Sequence, residues 1–403
     1  MPLYKEKVAQ DLEEKKSEFS GVRSREVVEE YQEAAGSLEE DYDLEELEEQ
    51  LEELDSVPAS PTEEFDEKGL LIPFEESNDW GSHEAVNNWA RQNLESVSTI
   101  AADGSQIDPV SEFEQPVGLV QVVWMKNNHS AEKSYDQGVE TEVLTPDDLL
   151  FENPNTGFIQ VDDQEVPVTR FETEMRVLEE QVKQHSEAEE PPVVMYDGSL
   201  ILSFMQMFDQ KTQERYAEAL ARLLAASKHH GVPVVGYISG SRATELGQLI
   251  KKLDLVETQQ SVRDYQVFSE KADHWGSRTA LFTSHRDSTL NKLTASYHGQ
   301  DYDFSQDILF TYLNIGAESQ MDRVELPRWI LEEDMVEYVL STIRAECGVG
   351  RGYCEILQAV DADAVLSRND REEFLRLYQD FSDEHEMELR WNNKALSKKR
   401  RRR

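Results

Sequence analysis

Cysteine is almost absent: Cys347 and Cys354 are the only two in 403 residues. That excludes a disulfide framework and a cysteine-based zinc module, and both thiols are expected to be buried, reduced side chains. Long apolar runs are missing too. None approaches the ~18 residues that a bilayer span needs, and mean hydropathy is −0.65, so no membrane partner is expected. Met1-Pro2-Leu3-Tyr4-Lys5 lacks the apolar stretch of a secretory leader, which predicts a cytoplasmic location. There is no Walker A sequence, no Gly-x-Gly-x-x-Gly after a strand and no His-Glu-x-x-His. An NTPase, a dinucleotide enzyme and a zincin therefore have no support.

Positive charge is the next scarcity. Lys and Arg number 40 against 83 Asp and Glu, a formal net charge of −43. The excess is spread, with clusters at 38–53, 187–190, 331–337 and 370–385. Such a coat fits a halophile: at molar salt the Debye length falls to ~3 Å and self-repulsion is screened. In ordinary salt the same charge would count against a nucleic-acid partner, because phosphate contacts need Lys and Arg. In high salt that objection loses most of its force. The exception is the end of the chain, Lys398-Lys399-Arg400 to Arg403, which reads as an arm touching nucleic acid or as a solvated tail.

Residues 1–56 read as an acidic helical extension. Leu44, Leu47, Leu51 and Leu54 make a heptad-like seam, and Gly36-Ser37 separates it from an earlier helix at 5–34. Pro58, Pro61 and Pro73 mark 57–79 as a linker, and a short helix near 83–94 completes the segment 57–94. From 95 to 370 strands alternate with helices. Strands are predicted at 97–102, 117–124, 193–196, 234–238, 279–283, 294–297 and 307–313, with weaker ones near 140–144 and 157–161. Helices are predicted at 170–186, 210–229, 242–252, 329–345, 353–366 and 370–381. This predicts an α/β protein with a mixed sheet flanked by helices. Residues 371–403 read as a C-terminal helix and basic tail.

Two predicted strands end in one tripeptide, Asp103-Gly104-Ser105 and Asp197-Gly198-Ser199. A single copy is usually a turn, its Gly letting the chain bend. Two copies after buried strands point to a shared site at the sheet edge, where α/β proteins bind ligands. Two Asp there can share a hard divalent cation. The helix at 170–186 sharpens this: Phe171, Met175, Leu178 and Val182 form its apolar stripe, and Glu174 falls on it, whereas Glu172, Glu179 and Glu180 lie off its centre. A carboxylate turned inward is costly unless paired or bound to metal. Converging carboxylates suggest metal-assisted phosphoryl transfer. Arg242, Arg278 and Arg286 flank strands and are candidates for phosphate contacts.

The segments AADGSQ at 101–106, VVMYDGSL at 193–200, VVGYISGSR at 234–242, RVELP at 323–327 and GYCEILQAVDA at 352–362 resemble the NurA family of DNA-end-resection nucleases. The resemblance covers roughly 95–370. It implies an RNase H-like core, a homodimer, and Mn²⁺-dependent 5′→3′ exonuclease and single-strand endonuclease activity, with Mg²⁺ as the alternative ion. It also implies DNA as partner, a HerA-type hexameric ATPase, and a functional link to Mre11–Rad50 in double-strand-break repair. Asp103 and Asp197 match the two metal-binding Asp, and Glu174 matches the Glu between them, with Glu172 as the other register. Tyr353 matches the family Tyr. Cys354 stands where Pro is usual, and Asp361 where a His is expected. Asp361 suits a ligand or water-positioning role better than that of a general acid at neutral pH. A different class of reading is a catalytically weakened DNA-binding or scaffolding subunit.

Overall fold

A buried start, Thr99 to Ala102, and pairing on both sides make 99–107 an inner strand of the sheet. In the computed structural model, residues 3–16, 25–76, 80, 82–95, 97–109, 115–130, 135–153, 156–272, 274–285, 293–315 and 321–386 are described. The chain divides into two compact units: Met1–Asn78, Ser239–Arg286 and Thr311–Arg323 in one, Asp79–Ile238, Asp287–Phe310 and Val324–Arg403 in the other.

The larger unit holds the sheet of interest. Its strands are β1 (Thr99–Ile107), β2 (Gly118–Asn127), β3 (Tyr135–Leu144), β4 (Val193–Asp197) and β5 (Val234–Ile238), followed by residues 324–327 of β6 (Met321–Pro327). They lie in the order β6-β5-β4-β1-β2-β3. β1, β2 and β3 form an antiparallel meander, whereas β4 pairs parallel with both β1 and β5. A meander followed by two parallel crossover strands, in the order 3-2-1-4-5, is the RNase H-like arrangement. The sheet is mixed and flanked by helices, as expected. Helix α1 (Glu165–Gln184) links β3 to β4, and α2 (Gln210–His230) links β4 to β5. Ile100, Ala102, Val194, Phe171, Met175, Leu178, Leu220 and Leu224 bury together in one core. After β6 come α3 (Val336–Val349), α4 (Glu355–Ala364) and α5 (Arg368–Glu384).

Several boundaries differ from the sequence reading. β1 does not stop at Asp103, because its antiparallel pairing with β2 continues through Asp103↔Val123 and Gly104↔Val122 to Ile107↔Leu119. Glu179 lies off the predicted stripe of α1 yet is buried, because α2 brings Arg222 to it at 2.8 Å.

The smaller unit contains helices Lys5–Glu14, Arg25–Asp41 and Leu44–Glu52. Gly36 and Ser37 do not divide two helices; both lie inside Arg25–Asp41, whose Tyr31, Ala34, Ala35 and Leu38 are buried. Helix Lys5–Glu14 buries nothing among the described residues. Of the leucine seam, Leu47 and Leu51 are buried. Residues 57–79 carry strands Ala59–Pro61 and Leu71–Ile72 and the helix Glu64–Lys68. These pair with strands Phe282–Ser284 and Arg278–Thr279 of the same unit. No helix among the described residues is long and apolar enough to cross a membrane. Lys398 to Arg403 and Arg286 lie outside the described residues.

Candidate active site

β1 and β4 run in register from Thr99↔Val193 to Ala102↔Tyr196, so Asp103 and Asp197 follow side by side on neighbouring strands. In-register residues of parallel strands share a face, and successive residues alternate. Ile100 and Ala102 pack with α1 in the core, so Gly104 faces α1 as well. Asp103 and Ser105 then face the opposite side, where Ser105 Oγ donates to the Ala364 carbonyl of α4. Asp197 shares that side.

Asp103 is half-buried and Asp197 is exposed at the end of its strand. Tyr353 Oη donates to Asp197 Oδ2 at 2.8 Å. The Tyr353 ring stands edge-on to Tyr237, with centroids 5.4 Å apart. Asp361, on α4, is exposed and near enough for its charge to act on both Asp103 and Asp197. Burial raises the pKa of Asp103; the Gly104 amide and Arg170 oppose this, and the Asp361 and Asp197 charges add to it. Burial also raises Asp197, the Tyr353 bond lowers it, and the Asp361 charge raises it again.

Glu174 comes from the other face. It is 5 % exposed, and its Oε1 is buried with no hydrogen-bond partner. The Arg170 guanidinium stands 3.6 Å from that oxygen, and Arg170 Nη1 also donates to the Gly104 carbonyl at 2.9 Å. Burial pushes the Glu174 carboxyl up to about 7; Arg170 and the Gly104 amide lower it, while Asp103 and Asp197 raise it. Gly104 explains how Glu174 reaches the Asp pair. A methyl group at Gly104 would strike Glu174 Oε1 and come within 2.9 Å of Arg170 Cγ. The glycine of this tripeptide therefore serves close approach rather than the sharp turn expected from the sequence.

Glu172, the alternative register, is held elsewhere: its carboxylate takes 2.8 Å and 2.6 Å bonds from Arg215 of α2. Arg278 corrects the expectation of a phosphate contact. It is fully buried and bonds Glu64 Oε2 at 2.7 Å, an ion pair closed inside the smaller unit. Arg242 is exposed in the segment before helix Glu245–Lys252. Both thiols are buried as expected, their sulfurs 3.0 Å apart.

Sequence reasoning gave no role to Glu325. This buried β6 residue accepts from the Leu200 amide at 2.7 Å, from Ser199 Oγ at 2.8 Å and from the Ile201 amide at 3.3 Å. It anchors the turn that follows Asp197. Its signal was a lone acid in an otherwise apolar run, Val324-Glu325-Leu326-Pro327. Arg323 of the same motif belongs to the smaller unit and bonds Glu245 at 2.7 Å.

Among the described residues, no three His, Cys, Asp or Glu side chains stand as a ready metal shell. The carboxylates feel one another's charge, and the buried Glu174 Oε1 has the Arg170 ion pair but no hydrogen bond. An all-oxygen, strongly negative donor set of this kind fits a hard divalent cation.

A family model described as the NurA domain matches residues 97–366. No curated protein matches the chain. Among solved structures, NurA bound to dAMP and manganese is 8 % identical, covering 68 % of this chain and 85 % of that one, with a TM-score of 0.33. NurA with manganese is 10 % identical, covering 70 % and 94 %, with a TM-score of 0.29. Endonuclease V from Bacillus subtilis is 12 % identical, covering 75 % and 95 %, with a TM-score of 0.30. Structural likeness at this level adds nothing to the family match.

Proposed function

This chain belongs to the NurA family of nucleases that act on DNA, and we propose that it hydrolyses phosphodiester bonds in a Mn²⁺-dependent reaction. Asp103, Asp197 and Glu174 would hold the ion, with Mg²⁺ as the alternative. Manganese suits carboxylate ligands and is the ion in the NurA structures named above. Once bound, it supplies charge neutralisation for the phosphate and an acidified water.

The protein's own groups prepare that site. Tyr353 orients the Asp197 carboxylate through its 2.8 Å bond. Glu325 fixes the turn behind Asp197, and Arg170 ties Glu174 to the backbone at Gly104. Asp361 positions water as an acceptor, in place of the family His. Arg242 contacts backbone phosphate.

The observation that carries this reading is Glu174, a buried carboxylate with an oxygen that takes no hydrogen bond, set beneath Gly104 and coupled to Asp103 and Asp197. From the family we further propose 5′→3′ exonuclease and single-strand endonuclease activity, a homodimer, and action in double-strand-break resection with a HerA-type translocase and Mre11–Rad50. The nuclease domain is taken as 95–370, preceded by the acidic extension 1–56 and the segment 57–94. Labelled duplex DNA incubated with protein and Mn²⁺ at molar salt tests the reading. EDTA-sensitive degradation supports it. DNA binding with no products supports the scaffolding reading, which Asp361 at the His position motivates.

A further inference from the structure

Glu346 on α3 is fully buried, and none of the chemistry above uses it. Its two oxygens reach three separate segments. Oε1 accepts from Thr99 Oγ1 at 2.6 Å, at the first residue of β1, and lies 3.0 Å from His129 Nε2, just beyond β2. Oε2 accepts from the Ile356 amide at 3.0 Å, in the first turn of α4.

The charge of Glu346 is matched. His129 Nδ1 lies 2.6 Å from the Val97 carbonyl. A carbonyl and a carboxylate can only accept, so both ring nitrogens donate and the imidazole is the cation Glu346 requires. Burial pulls the His129 pKa down, but the bond to Glu346 and its charge carry it above the ordinary value. The His129 backbone sits at φ 46°, and its amide is held by Asn127 Oδ1 at 2.9 Å. A left-handed, non-glycine residue persists when its surroundings over-determine it.

From Ile356, α4 runs alongside β1 and is tied to it again where Ser105 Oγ donates to the Ala364 carbonyl. Between these two pins lies Asp361, about 7.5 Å along the helix from Ile356. On the strand, Asp103 lies about 13 Å from Thr99. The two pins set the register of helix against strand. They thereby set how closely Asp361 approaches Asp103 and Asp197. Tyr353, the donor to Asp197, is the third residue before Ile356, in the segment that leads into α4.

We infer that Glu346 is a positioning residue for the reaction: by locking the first turn of α4 to the start of β1, it sets Asp361 and Tyr353 against Asp103 and Asp197. This rests on the reading of those carboxylates as the reaction site. The test compares wild type, Glu346→Ala, Glu346→Gln and Asp103→Ala with labelled duplex DNA and Mn²⁺, alongside hydrogen exchange of each protein. Glu346→Ala is expected to lower kcat at least about tenfold with KM for DNA unchanged, as loss of a supporting carboxylate does elsewhere. Glu346→Gln keeps an acceptor for the Ile356 amide and should restore part of kcat. Exchange should quicken in 355–364 and not in α1 or α2.

Wild-type kcat in Glu346→Ala, with Asp103→Ala inactive, overturns the inference alone. So does a loss of kcat in which exchange quickens throughout the unit and the Gln variant restores nothing. Should the Ala variant fail to fold, the Gln variant decides: exchange at 355–364 quickened with wild-type kcat, or kcat lowered with exchange there unchanged, refutes the role, and kcat and exchange tracking each other supports it. Full activity in Asp103→Ala removes the site reading and the inference with it.

Discussion

Replacing Glu174 by Gln should stabilise the protein while destroying its activity. The carboxyl of Glu174 is raised from an ordinary 4.5 to about 7, chiefly by burial. At 1.36 kcal/mol for each pH unit of difference, the ionised side chain costs the metal-free fold about 3 kcal/mol. The sign follows from where each state gives up its proton. An unfolded chain releases it near pH 4.5, the folded one near 7. Between those values the folded state holds the extra proton, so stability falls as pH rises and the cost is complete above about 7. Gln has the same shape and no charge. In chelator, followed by urea unfolding read by circular dichroism, the two proteins should match near pH 4. At pH 8 the variant should be more stable by about 3 kcal/mol. Manganese should then stabilise the wild type more than Glu174→Gln, because it binds the folded site and not the unfolded chain. A variant no more stable than wild type at pH 8 would refute the account of Glu174 as a group kept for its ligand.

Other perturbations have equally definite outcomes. Glu325→Ala frees the Ser199–Ile201 turn and should lower kcat about tenfold, checked by single-turnover kinetics. Tyr353→Phe removes the 2.8 Å bond to Asp197 and should lower kcat without changing DNA affinity, read by the same kinetics and by fluorescence anisotropy. In the smaller unit, Arg278 holds the Glu64 carboxyl down to about 2 against the pull of burial. The ion pairs of Glu64 with Arg278 and Lys68 together contribute about 3 kcal/mol above pH 4.5, lost as pH falls towards 2. Glu64→Gln should therefore cost about 3 to 5 kcal/mol at neutral pH, measured by denaturant titration, and should flatten the acid limb of stability.

The sequence carried the fold where burial follows a period. Strands 193–196 and 234–238 and helix 210–229 are read almost to the residue, because continuous apolar runs and a 3.6-residue stripe leave few alternatives. Asp103 and Asp197 were legible as a pair through their repeated tripeptide, and Glu174 through its place on an apolar stripe. The course of β1 past Asp103 was not, since a polar Asp-Gly-Ser within a strand reads as a turn unless the partner strand is known. Buried charge was equally hidden. Arg278 looks like any surface arginine until Glu64, 214 residues away in sequence, is seen to meet it. Glu325 and Glu346 were invisible as anchors for the same reason: most of their partners, Ser199 to Ile201 for the one and Thr99 and His129 for the other, lie more than a hundred residues away in sequence. Short elements at 59–72 escaped because prolines there sit in strand and turn positions that a linker would share.

The most direct test of the central claim is the rate of duplex DNA degradation by Asp103→Ala and Asp197→Ala beside the wild type, in Mn²⁺ at molar salt, with circular dichroism confirming the fold of each. The account predicts EDTA-sensitive degradation by the wild type and none by either variant, with folds unchanged. Full activity in either folded variant would contradict it.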